Sequence, residues 1–205
     1  MDNRDSEKIV PEQEKGSSTN AEHSYTAQSP DEALTVFQSA CERLLDVNHW
    51  SDYAGVGSAT FEVMDNQGNP VPSAVRKDNF IRIDIPGPGS VSGEGYDWVQ
   101  VEAIDTSSNA EEDWESIAIR VRPASNPQND RKDISHFFTD EATSNFVLKR
   151  QGNTVIAGVY GRNEVLNTKA DKLVDKSRNA AVGIAAVSGG SSIQWNKLVK
   201  GLIGK

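Results

Sequence analysis

Imidazole changes charge near neutral pH, so His136 is the side chain in this 205-residue sequence best suited to moving a proton. A general base also needs an orienting partner, and Asp133 or Asp140 stands near enough in sequence to supply one. The competing reading is a loop histidine beside the anchoring aromatics Phe137 and Phe138. His49, next to Trp50, offers the same chemistry in no better context. Arg82 and Arg120 are candidates of a second kind, because a guanidinium can hold a carboxylate or phosphate through paired hydrogen bonds. Asp84, Glu102 and Arg122 recur beside them on strand-like segments. Plain solvation of that face, with Arg and Asp or Glu paired across strands for roughly a few tenths of a kcal/mol, accounts for the same residues. The run Gly87 to Gly95 has no Lys-Ser/Thr ending and opens no helix, so it fails as a phosphate loop and suits a flexible lid instead. Tyr160-Gly161-Arg162-Asn163-Glu164 closes a strand with polar groups that could line a rim or simply meet water. No catalytic or nucleic-acid motif stands out.

Composition narrows the classes. With 36% hydrophobic and 25% charged residues the chain can bury one proper core and leaves little for a second domain. A formal net charge of -9 repels a phosphate backbone, so no nucleic-acid partner is expected. The single cysteine, Cys41, excludes an internal disulfide framework, and one Cys with three scattered His assembles no zinc site without carboxylate help. Neither a metal nor a cofactor is expected. Met1-Asp2-Asn3-Arg4-Asp5 is followed by no apolar stretch of the kind a secretory signal carries, and no segment approaches the roughly 20 apolar residues that span a bilayer. A cytoplasmic protein with no membrane insertion is the expectation.

Elements must position the candidates. Residues 1–22 hold almost no large apolar side chains, which predicts a disordered tail. His23 to Gln28 predicts a short, weakly alternating strand. Ser29-Pro30-Asp31-Glu32 sets an N-cap before a proline at the first helical position, with Glu32 placed to complete a capping box. Leu34, Phe37, Cys41, Leu44 and Leu45 then recur as one helical stripe, which makes Cys41 a small buried hydrophobe more than a reactive thiol. After an aromatic turn from Val47 to Gly55 the period becomes two. Strands follow at Ala59 to Met64, Phe80 to Ile85, Trp98 to Thr106 and Ser116 to Arg122. Ile81, Ile83 and Ile85 share one face of the second, as Ile117, Ile119 and Val121 do of the fourth. The long connection Pro123 to Thr143 is anchored by Ile134, Phe137 and Phe138. Phe146 to Arg150 and Thr154 to Arg162 flank Gln151-Gly152-Asn153 as a hairpin. From about Ala170 the chain is helical in composition, broken at Gly189-Gly190 and resumed with Trp195, Leu198, Val199, Leu202 and Ile203 on one face.

Three stretches carry a resemblance: Ser29-Pro30-Asp31-Glu32 opening the first helix, Leu45 to Trp50 ending it, and the hairpin Phe146 to Val155 before the last helix. In this order of elements, over roughly residues 23–203, the chain resembles the helix-grip superfamily of START-type and polyketide-cyclase-like proteins. The resemblance implies an α+β fold in which a curved antiparallel sheet of about six to seven strands wraps a C-terminal helix. A small Greek-key or SH3-like barrel flanked by helices is the alternative. The chain departs from the pattern in its poor first strand, its long connection and its double glycine. Residues 23–205 are then a single domain.

The resemblance also implies a cavity between sheet and helix for a small apolar or aromatic molecule, and so non-catalytic binding as the leading function. The residues it would draw on are Arg82, Asp84, Trp98, Glu102, Arg120, His136, Tyr160 and Trp195. Trp98 and Trp195 serve equally as ordinary core between sheet and helix. A cyclase- or hydrolase-like enzyme, with His136 or Asp84 facing the pocket, and a protein-interaction module with a packed interior remain the rival functions.

Overall fold

In the computed structural model, which describes residues 9–85, 90–168 and 191–204, helix α1 spans Pro30–Leu45. Ser29 caps it as the spacing predicts, its hydroxyl accepting from the Glu32 N–H at 3.2 Å. Glu32 closes the box one residue early: its carboxylate takes the Gln28 N–H at 2.9 Å and the Tyr25 hydroxyl at 2.7 Å. The helix is thereby tied to the strand before it. The buried face is Ala33, Val36, Phe37, Ala40 and Leu44, turned from the predicted stripe so that Leu34 is 37% exposed. The small alanines let the helix sit close on the sheet, which the larger leucine does not. Cys41 is half-buried, and burial, reinforced by Glu115 and Glu42, pushes its thiol up to about 12, as suits an inert packing residue. Leu44 is fully buried, so Leu44→Ala is expected to cost about 2–5 kcal/mol in denaturant unfolding. Leu34→Ala is expected to stay within about 0.5 kcal/mol, and equal effects would show the assigned face to be wrong.

Helix α2, Trp50–Ala54, follows a single 3-10 turn at Val47–His49. Seven antiparallel strands then make one curved sheet: β1 Ser17–Thr26, β2 Thr60–Met64, β3 Phe80–Asp84, β4 Asp97–Asn109, β5 Trp114–Pro123, β6 Thr143–Gln151 and β7 Thr154–Glu164. Their order is β1-β7-β6-β5-β4-β3-β2, so only β1 pairs out of sequence order, beside β7. The predicted hairpin turns on Gly152 at φ 54°, a left-handed position open to glycine without cost. Helix α3, Ser191–Ile203, packs on β1, β7, α1 and α2 with Leu198, Val199, Leu202 and Ile203 buried, as its spacing predicts. Gly201 is where α2 meets it: a Cβ there would collide with the Tyr53 carbonyl. The predicted start of the terminal helix and the Gly189-Gly190 break lie outside the described residues, as do residues 86–89 of the predicted lid.

The N-terminal expectation is corrected. Strand β1 begins at Ser17, five residues before the predicted end of the tail, because an edge strand is held by its backbone and needs little apolar side chain. Ahead of it a strap crosses the convex face, where Ile9, 4% exposed, packs on Ala118 and Val147. Asn163 clasps the strap: its Oδ1 accepts the N–H groups of Glu14 and Lys15, and its Nδ2 donates to the Glu12 carbonyl. Lys15 pairs with Glu141. The predicted tail survives as an expectation for residues 1–8 alone, which lie outside the described ones.

Candidate functional site

Strand alternation divides the sheet into two unlike faces. The concave face, toward the helices, carries Phe61, Ile81, Val99, Val101, Ile119, Phe146, Leu148 and Val159. Over it Trp50 stands edge-on to Phe61, ring centres 5.4 Å apart, and 4.5 Å from Phe146. Trp195 of α3 reaches the same aromatics, at 5.5 Å from Phe146 and 6.3 Å from Phe61. Trp50 is 1% exposed, whereas Trp195 is only partly buried. Farther along the sheet Ile83, Ile85 and Ile104 are likewise only partly buried.

The convex face collects most of the residues expected to bind. Arg82 pairs with Glu62 and lies over the Tyr96 ring at 4.3 Å. Glu102 pairs with Arg122, which also donates to the Asp140 carbonyl at 2.6 Å. Arg120 donates to Asn145 Oδ1 at 3.3 Å, and burial lowers its guanidinium. The Tyr160 hydroxyl donates to Glu22 at 2.8 Å. Asp84 is exposed at the end of β3, on the side opposite Ile83. The cavity-lining role expected of these five is therefore corrected for a cavity under α3. Residues 82, 120 and 160 alternate with concave side chains, and the pleat turns them away from the helix; in β4 a register shift between Val101 and Ala103 leaves Glu102 on the convex side and sets Ile104 on the concave one, opposite Ile119.

Trp98 and His136 belong to a corner of that convex face. Trp98 is fully buried, its indole N–H donating to the Gly93 carbonyl at 3.2 Å, so the described part of the predicted lid is packed down instead of open. Ser135 and Ala124 add backbone pairing at Trp98. His136 is 8% exposed and stacks on Phe137 at 4.3 Å, while its Nδ1 accepts the Phe138 N–H at 3.0 Å. That nitrogen is thus engaged as an acceptor in the turn, an anchoring role. Asn167 fastens the connection by donating to the carbonyls of Ile134 and His136, both at 3.1 Å. His49 is exposed and bonds Asp46 Oδ1 at 2.8 Å; that bond raises its imidazole. Of the eight expected residues only Trp195 lies with the concave aromatics.

One concave polar group was foreseen only as part of a rim. By alternation Glu164 belongs with Tyr160 and Arg162 on the convex side, but Asn163 takes φ 55° and turns the chain over. The Glu164 carboxylate consequently lies above Gly161, on the face of Val159 and Ala157, where a Cβ at 161 would collide with it. Its Oε2 accepts from the Thr19 hydroxyl at 2.9 Å and the Ser17 hydroxyl at 3.4 Å. Burial pushes this carboxyl up, and the two hydroxyls and Arg162 oppose the shift without cancelling it. Among the described residues no group of three or more His, Cys, Asp and Glu could hold a metal, and no helix is long and apolar enough to cross a membrane.

No protein-family model and no curated protein sequence matches the chain. Solved structures of similar fold include a hypothetical protein from Helicobacter pylori, 14% identical, at TM-score 0.45 over 88% of this chain and 86% of that one. Ara h 8.0201 is 10% identical at TM-score 0.42, over 92% of this chain and 100% of its own. A major latex-like protein 151 from Panax ginseng is 11% identical at TM-score 0.34, over 86% of this chain and 99% of that one. At such scores these likenesses carry nothing about ligand or reaction.

Proposed function

We propose that the chain binds a small hydrophobic ligand against its concave face and performs no reaction on it. The observation that carries this reading is the footprint of the described helices. α1 packs on β6 and β7 and α3 on β1 and β7, while the apolar row continues onto β3 and β4, where Ile83 and Ile104 are only partly buried. Apolar surface bordered by aromatics and a few polar groups is the usual make-up of a ligand site. Size follows from the energetics. A micromolar complex is worth about -8.2 kcal/mol, which at ~25 cal/mol per Å² needs roughly 330 Å² of apolar burial before association costs. A bicyclic or long-chain molecule is the smallest that suffices.

A neutral naphthalene dye whose emission rises in apolar surroundings is expected to bind the folded protein saturably at micromolar concentration and to quench tryptophan fluorescence. Ile104→Arg, which sets a charge on the concave face, is expected to weaken binding at least tenfold. Arg82→Ala, on the opposite face, should leave it unchanged. Absence of saturable binding to the folded protein would overturn the reading.

A further inference from the structure

Two aliphatic side chains stand in water at one end of the molecule. Val56 is 97% exposed and Ile193 64%. Val56 is the apex of Gly55-Val56-Gly57, in which both glycines take left-handed φ, 78° and 82°. A Cβ at either glycine would meet nothing within 4 Å, so they serve the turn and not a close approach. The turn is tied down all the same. Lys197 donates from Nζ to the Val56 carbonyl at 3.2 Å and the Ala59 N–H reaches Gln194 Oε1 at 3.5 Å, which holds the loop beside the first turns of α3. Ile193 lies one turn before Lys197 on the same row of the helix, and Lys200 continues that row. Asn196, Lys197 and Lys200 are exposed.

We propose that this end of the molecule docks on a phospholipid bilayer bearing anionic headgroups, with Val56 and Ile193 entering the acyl boundary and Lys197 and Lys200 meeting the phosphates. A stable protein interface buries about 800 Å² on each partner, far more than two side chains offer, whereas fluid lipid takes up isolated side chains with no demand for matching shape. Lysine stems lie along apolar surface while the ammonium reaches outward, so aliphatic tips with lysines behind them follow the layering of acyl chain and phosphate. Charge agrees with this. Neither Ser191–Ile203 nor residues 55–61 contain an acid. The acids that border them are Asp52 on α2, Glu62, which pairs with Arg82, and Asp84 opposite Thr60. The Debye length at physiological ionic strength is about 8 Å, so lipid at the tip senses the two lysines before the formal net charge of -9. The contact lies on the bilayer and spans nothing. It is independent of the concave-face reading, and its test contains no dye or other ligand.

The test is co-sedimentation of the full chain with large vesicles of phosphatidylcholine alone, or of phosphatidylcholine with one third phosphatidylglycerol, at physiological ionic strength. Two side chains give weak, reversible docking, half complete on the order of 1 mM anionic lipid. Partition onto the phosphatidylglycerol vesicles is expected to exceed that onto phosphatidylcholine at least fivefold. The double variant Val56→Ser, Ile193→Ser should lower it at least tenfold with an unchanged circular dichroism melt, since both side chains are exposed in the folded chain. Lys197→Gln with Lys200→Gln should remove the preference for phosphatidylglycerol, each lysine being worth about fivefold at an anionic surface. Leu34→Ser, an exposed aliphatic on α1, should change nothing. Absence of partition onto either vesicle overturns the proposal, as does partition that survives the two serines or a phosphatidylglycerol preference that survives the two glutamines. An equal loss in Leu34→Ser would show adhesion without a site and overturns it as well. Self-association without vesicles that the two serines abolish would give this end to a second copy of the chain instead.

Discussion

A chain beginning at residue 23 is expected to lose cooperative folding or to melt more than about 20 °C below the full chain. The cut removes Ser17 to Glu22, which pair with β7 from Glu164 to Gly158, and leaves four residues of β1. Buried Ala21 and the Thr19 and Ser17 partners of Glu164 go with them. So does Ile9, whose burial on Ala118 and Val147 is worth about 1.5–3 kcal/mol. Each lost backbone hydrogen bond adds roughly 0.5–1.5 kcal/mol. The sum reaches the lower part of the 5–15 kcal/mol that typically holds a domain together. Beyond the energy, β7 becomes an uncovered edge, which invites pairing with other chains. A cut at residue 17 removes only the strap and its Asn163 clasp, so its melt should fall between the two. Circular dichroism melts and light scattering check the series, and an unshifted melt for the shorter chain would mean that β1 contributes nothing.

What the sequence reveals here is periodicity, and what it hides is the side to which a period is turned. The helix start at Ser29, the alternation of Ile81 and Ile83 and the turn at Gly152 are local signals, and the structure keeps all three. Strand β1 is nearly silent, because its concave residues Thr19 and Ala21 are too small to mark a face while its cohesion is backbone pairing to a distant strand. The polar face of Arg82, Glu102 and Arg120 was legible as a shared face, but a single curved sheet has one side toward its helix, and the isoleucines hold it. Polar side chains opposite them meet solvent, the strap or the long connection. Glu164 escapes alternation for another reason. One residue at left-handed φ reverses the facing of the next, and asparagine is among the few non-glycine residues that tolerate it.

Trp50→Ala is expected to cost about 3–5 kcal/mol in denaturant unfolding, more than any other single truncation in the aromatic cluster. The indole is 1% exposed and fills the space between the end of α1 and the sheet. Its removal empties the contacts to Phe61 and Phe146, and ring pairs of that geometry add roughly 0.5–1.5 kcal/mol beyond area. The indole N–H also donates to the carbonyls of Leu44 at 3.1 Å and Arg43 at 3.2 Å. Carbonyls in the last turn of a helix have no partner within it, so the truncation takes the donor from both, the Leu44 carbonyl being the buried one. Trp50→Phe separates the two losses: it restores much of the ring and none of the donor, and should cost about 1–3 kcal/mol. Trp195 touches the same phenylalanines from α3 but is only partly buried. Trp195→Ala should therefore cost less stability than Trp50→Ala and weaken dye binding more than Trp50→Phe does. The opposite ranking, with Trp195 dominating stability and indifferent to the dye, would place the ligand surface away from the Trp195 side of the concave face.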